Sequence, residues 1–219
     1  IDVYTEKHFP DIDSAKIAIF NIPEYEGSDN SSSVDNCNVR SFLYSFHSDS
    51  PPSIVDLGVL HLMPERKQSF EMIQTVCEIL LGKGVVPFII GGGHDISYAV
   101  YKAYSALGKF ITLTAVDSKF DVGLEDDNLS SSSHLGKMIA HKPSSLFHYT
   151  NMGYQSYFVS NLANEMLDAM HFETIRLGDL KANFYEVEPI MRNSDFLSFD
   201  ISSIQHSYAS ANVYSSPNG

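Results

Sequence analysis

Tryptophan is absent from this chain of 219 residues, cysteine occurs twice, and Lys and Arg together number 14. The two cysteines, Cys37 and Cys77, lie far apart without the spacing of a zinc site. Neither a disulfide framework nor a zinc domain follows, and a reducing, cytoplasmic compartment is the expectation. Against the few basic residues stand 27 Asp and Glu, for a formal charge of −13. That balance argues against nucleic acid as the main partner, since phosphate binding needs clustered Lys and Arg. It equally disfavours docking on an anionic membrane surface. No apolar run approaches the roughly 20 residues of a membrane span. The opening residues, Ile1-Asp2-Val3-Tyr4, lack the basic stretch and apolar run of a signal peptide. Long biased tracts are missing too, which rules out a wholly disordered chain.

With 43% hydrophobic residues, a real core is expected. Short apolar runs at Lys16–Phe20, Val55–Leu60, Val85–Ile90, Phe110–Val116, Thr174–Leu177 and Phe196–Asp200 read as buried strands. Helical spacing marks Glu65–Leu81, stopped by Gly82, and Asp95–Leu107, with a weaker pattern over Phe184–Met191. A further helix over Asn161–Met170 takes Asn161 as its cap. Asn30–Ser33 and Ser130–Ser133 are polar loops. Strands alternating with helices predict βαβ units: one three-layer α/β domain over residues 1–219 with a mainly parallel sheet. The missing initiator Met and the turn-like end Ser215-Ser216-Pro217-Asn218-Gly219 suggest a fragment, incomplete at its C-terminus.

Three of the runs end in polar, ligand-like residues. Ile89-Ile90 leads into Gly91-Gly92-Gly93-His94-Asp95, Ala115-Val116 into Asp117-Ser118-Lys119-Phe120-Asp121, and Leu197-Ser198-Phe199 into Asp200-Ile201-Ser202. In a parallel sheet the strand C-termini share one edge, where α/β proteins keep their ligand crevice. His94, Asp117, Asp121 and Asp200 are therefore expected to converge. Carboxylates gathered so closely need a cation among them. Oxygen ligands with one imidazole suit Mn²⁺ or a similar divalent ion. Dinucleotide and P-loop glycine patterns are absent.

These three segments resemble the ureohydrolase family of arginases, agmatinases and formiminoglutamases, which reads GG[GD]H[DES], then DAHxD, then SxDxDxxDP. GGGHD, DSKFD and SFDIS match in that order, from about Ala15 onward, and Gly93 with Asp95 is nearest the formiminoglutamase branch. The resemblance implies an α/β/α fold and a site where two Mn²⁺ ions, bridged by hydroxide, hydrolyse a linear amidine or guanidine. It implies that His94, Asp117, Asp121 and Asp200 hold one ion. The second ion's private ligands, a His and an Asp, are replaced by Lys119 and Ser202. One Mn²⁺ at most is then expected, with the Lys119 ammonium standing in for the other and pairing with Asp117 or Asp200.

By the same resemblance His134 moves protons, beside the catalytic Asp121, and Ser130 reads the substrate. Gly123 falls where arginases have an Asn, which argues against arginine as substrate. His141 and His148 extend a seven-residue spacing from His134, but Pro143 interrupts any helix, so the spacing is read as coincidence. Tyr98, Tyr101 and Tyr104 are expected to pack rather than bind a cofactor. The family forms trimers or hexamers, so the resemblance extends to a homo-oligomer. Two functions follow: hydrolysis of a small amidine or formimino compound on a reduced metal site, or a relative that binds or serves structurally without turnover.

Overall fold

A computed structural model describes residues 1–28, 37–123, 128–210, 212 and 215–219. The chain divides into two compact units, Ile1–Leu107 and Gly108–Gly219. The polar loop expected at Asn30–Ser33 lies outside the described residues.

In the first unit, strands β1 (Asp2–Val3), β2 (Ile17–Asn21), β3 (Ile54–Val59) and β4 (Val86–Ile90) form a parallel sheet in the order β1-β3-β2-β4. β2 lies inside the sheet, and its apolar residues Ala18, Ile19 and Phe20 are all buried, as a strand covered on both faces requires. Pro87 removes a ladder donor from β4, a strand that among the described residues of this unit pairs only with β2. The described residues of this unit also form the helices α1 (Cys37–Ser45), α2 (Arg66–Gly82) and α3 (Ile96–Ala106). Phe70, Ile73, Cys77 and Leu80 make the buried stripe of α2, which packs on α3. Gly82 is its last residue rather than its stop, and Lys83 caps it. Tyr101 of α3 is fully buried, with the Tyr98 ring stacked 6.3 Å away. Tyr98 and Tyr101 thus pack together.

Asp56 is a buried carboxylate in the middle of β3. Such a group is tolerated only with partners. Arg40 of α1 donates to both its oxygens, at 2.9 and 2.5 Å, and Tyr44 donates to one of them. Burial and that bond push the Tyr44 phenol up to about 12. The sequence pattern misses α1 because its apolar residues face outward: Phe42 is 71% exposed. Arg40 and Tyr44, one helical turn apart, tie it to β3 through hydrogen bonds to the Asp56 carboxylate instead.

The second unit holds β5 (Ile111–Val116), β6 (Leu146–Tyr154), β7 (Glu173–Arg176) and β8 (Phe196–Phe199), again parallel, in the order β7-β6-β5-β8. Its helices are α4 (His134–Ala140), α5 (Asn161–Ala169), α6 (Leu177–Ala182) and α7 (Val187–Arg192), with a 3-10 turn at Phe184–Glu186. The cap of α5 is Ser160, whose Oγ accepts the Ala163 N–H at 3.1 Å; Asn161 is the first helical residue. β6 and α4 go beyond the sequence expectation. His148, Thr150 and Asn151 break the apolar run of β6, yet the strand pairs on both sides. Among the described residues no helix is long and apolar enough to cross a membrane.

Candidate metal centre

The second unit gathers three of the expected carboxylates, and strand register is the reason. Val116 at the end of β5 pairs with Phe199 at the end of β8, so the next residues, Asp117 and Asp200, leave the sheet side by side. The Asp117 N–H donates to the Met152 carbonyl at 3.2 Å, and the Asp200 N–H to the Val116 carbonyl at 3.0 Å. Each carboxylate then anchors its own turn. Asp117 Oδ1 accepts the Lys119 N–H at 2.9 Å, and Asp200 Oδ1 accepts the Ser202 N–H at 2.6 Å.

Asp121 completes the group. It has a left-handed φ of +50°, uncommon for a residue with a Cβ, and its carbonyl accepts the Leu135 N–H at 3.2 Å. One oxygen each from Asp117, Asp121 and Asp200 lies within 4.8 Å of the others. Carboxylates at that spacing repel unless a cation lies among them, and all-oxygen donors match a hard divalent ion. The donor set therefore fits a metal.

Two glycines bring His134 to this group. Gly123 has φ +56°, and a Cβ there would lie 2.5 Å from Ser133 Cα. Gly136 of α4 packs so closely that a Cβ would collide with the Val122 carbonyl. An Asn at 123, as in the arginase pattern, would meet the 130–133 loop. The buried His134 ring lies with Nδ1 3.9 Å from Asp121 Oδ2 and 2.8 Å from the Ser131 carbonyl. A carbonyl only accepts, so Nδ1 carries the proton of the neutral ring, and Nε2 is the basic atom.

Ser130 belongs to a local serine cluster. Its Oγ lies 3.1 Å from that of Ser132 and 3.0 Å from that of Ser133, and its N–H donates to Ser133 Oγ. Ser202 is buried in the Asp200 turn. Lys119 corrects an expectation. Its side chain is exposed, and its ammonium makes no ion pair among the described residues, with Asp117 and Asp200 included. The local backbone explains this: the Lys119 N–H is turned to Asp117 and its carbonyl to Asn151. His141 caps α4, while His148 lies in β6 edge-on to Phe172, so the seven-residue spacing gathers nothing.

His94 belongs to the first unit, in the turn between β4 and α3. That turn is held tightly. Gly92 has φ +82°, and a Cβ there would lie 2.9 Å from the Ile22 carbonyl and 3.0 Å from that of Glu24. The Gly93 N–H donates to the Glu24 carbonyl at 2.7 Å. Asp95, fully buried beside His94, pairs with Arg66 at the start of α2, and Arg66 Nε lies 3.3 Å from Glu24 Oε1. Sequence reasoning missed Glu24 and Arg66. Their signal is weak: one of two acids after β2, beside Glu26, and one of two bases opening a helix, beside Lys67.

The model of the arginase family matches residues 35–219. The chain belongs to the arginase family. No curated protein sequence matches it. Solved structures of this family share its fold. Formimidoylglutamase from Bacillus subtilis superposes with a TM-score of 0.81 at 16% identity, covering 99% of this chain and 74% of that one. Trypanosoma cruzi formiminoglutamase with Mn²⁺ gives 0.76 at 20% identity, covering 88% and 72%. Agmatine ureohydrolase of Thermoplasma volcanium gives 0.73 at 21% identity, covering 92% and 72%. Two parallel sheets with their helices are thus the arginase-like α/β fold, as the three sequence segments suggested.

Proposed function

We propose that this arginase-family protein is a metal-dependent hydrolase of linear C–N bonds, acting on a small amidine or formimino compound with a single Mn²⁺. The observation that carries this reading is the convergence of Asp117, Asp121 and Asp200 within one unit. His94, from the first family motif, is proposed as the fourth ligand. The Mn²⁺-containing formiminoglutamase that this fold resembles supports the choice of ion. A bound divalent ion supplies Lewis-acid activation of water.

The chain's own residues account for the rest. Asp121 and His134 are the catalytic pair: the Nδ1 bond to Ser131 leaves Nε2 as the base that takes a proton and returns it to the departing amine. Ser130 is proposed to read the substrate beyond the scissile bond. Lys119 and Ser202 stand where the family pattern has a His and an Asp, so the imidazole and the carboxylate of a second ligand set are missing. Those same two replacements favour a second reading, in which the protein binds its ligand without turnover.

Metal content and product release test both readings. After Mn²⁺ loading and desalting, one ion per chain is expected, and Asp117→Ala should abolish it. Ammonia, urea or formamide released from a panel of guanidino and formimino compounds identifies the hydrolase. One ion with no release from any compound selects the second reading. No retained ion overturns the metal site itself.

A further inference from the structure

Asn151 occupies the middle of β6, opposite Ala115 of β5, and is fully buried. Asparagine is a poor strand residue, and a buried amide costs free energy unless its polar atoms are matched. Here the matching is one-sided. Nδ2 donates to the Lys119 carbonyl at 2.8 Å and lies 3.4 Å from the Tyr149 hydroxyl. The Lys119 carbonyl only accepts, which fixes the orientation of the amide. Oδ1 is buried with no donor among the described residues. A residue chosen for packing alone would be apolar here. The amide tolerates an unmatched oxygen while its nitrogen grips the loop midway between Asp117 and Asp121.

Besides the Asp117 Oδ1 bond to the Lys119 N–H and the packing of the Phe120 ring 4.9 Å from that of Tyr154, the loop is tied by main-chain bonds. The Asp117 N–H donates to Met152, the Gln155 N–H to the Ser118 carbonyl, and the Leu135 N–H to the Asp121 carbonyl. Any sequence with this backbone could form those. The bond at Lys119 is different, because a side chain of the adjacent strand there holds the loop backbone itself by a hydrogen bond. It restrains the peptide between two carboxylates whose spacing sets how well they receive a cation. It also holds the segment from which Asp121 departs into its left-handed conformation.

We infer that Asn151 is a positioning residue for the metal site, holding the Asp117–Asp121 loop through the Lys119 carbonyl so that the two carboxylates are preset for the ion. The inference rests on the single-metal reading above. Residues that orient metal ligands without touching the metal are worth about 10- to 100-fold in affinity.

The test is Mn²⁺ affinity by titration calorimetry on the full chain, for wild type, Asn151→Leu and Asn151→Ala. Thr114→Val is the control. Thr114 is an equally buried residue of β5, and the variant deletes a hydroxyl bond to Ser194 without touching the loop. Circular dichroism and melting temperature are recorded for each. About 10- to 100-fold weaker Mn²⁺ binding at unchanged stoichiometry is expected for the Asn151 variants, and wild-type affinity for Thr114→Val at a similar loss of stability. The alanine variant keeps the measurement available should leucine fail to fold. Asn151 variants that bind Mn²⁺ as wild type does, or a Thr114→Val variant that weakens binding equally, would overturn the inference alone. A wild-type chain that binds no Mn²⁺ would overturn the metal reading and this inference with it.

Discussion

Replacing Arg66 with methionine isolates the ion triad behind the first family motif. The methionine keeps an apolar stem near the Phe70 ring, over which the guanidinium carbon sits 4.8 Å from the centroid. What it removes is a cation shared by two buried carboxylates: the Asp95 side chain is 0% exposed and that of Glu24 is 4%. Breaking a buried pair by deleting one member costs about 3–5 kcal/mol, because the remaining charge stays desolvated. Arg66 itself is 23% exposed, so water already screens part of the interaction, and the low end, about 3 kcal/mol, is expected. For a chain of this size each kcal/mol moves the melting temperature by about 2–4 °C. Differential scanning calorimetry at neutral pH should therefore find the variant about 6–12 °C less stable. Adding Asp95→Asn removes one stranded charge and should recover part of the loss, a coupling that a double-mutant cycle measures. A drop below about 2 °C for the single variant would refute the reasoning, since the carboxylates would then be stable without the guanidinium.

Two further outcomes follow, one from a glycine and one from a pair of retained protons. Gly123→Ala forces a left-handed conformation, at about 1–2 kcal/mol, and drives a methyl group against Ser133. Urea denaturation should show a total loss of about 2–4 kcal/mol, and an unchanged midpoint would contradict the close approach of the 123 and 133 segments. Alkaline stability depends on protons retained in the fold. Burial pushes the Cys77 thiol up to about 12, and burial with the Asp56 bond does the same for the Tyr44 phenol. The unfolded chain loses both protons at lower pH, so their contribution is fully present below about pH 9 and is lost as pH rises towards 12. Cys77→Val with Tyr44→Phe should flatten that decline in denaturant titrations; a profile as steep as wild type would exclude these two groups as its source.

The strands that open the three motifs were legible because each is a short apolar run followed by polar residues, and no tertiary information is needed to see that. The helices over 66–82 and 96–106 were legible by their periodicity. β6 was not, since its central residues are polar and their partners come from β5 and from the loop after it. Nor was α1, which attaches through Arg40 and Tyr44 rather than by an apolar stripe. At α5 the choice between Ser160 and Asn161 turns on one backbone conformation, and two adjacent capping residues give no pattern to decide it.

Sequence by itself determined the residue types of the site, their order and the two departures at Lys119 and Ser202, because ligand chemistry belongs to side chains and motif order to the chain. Tertiary structure alone decided that Asp117 and Asp200 emerge side by side, that the Lys119 ammonium faces solvent instead of those carboxylates, and that Asn151 grips the loop between Asp117 and Asp121. Each of those depends on strand register or backbone direction, and both are set by contacts between segments distant in sequence.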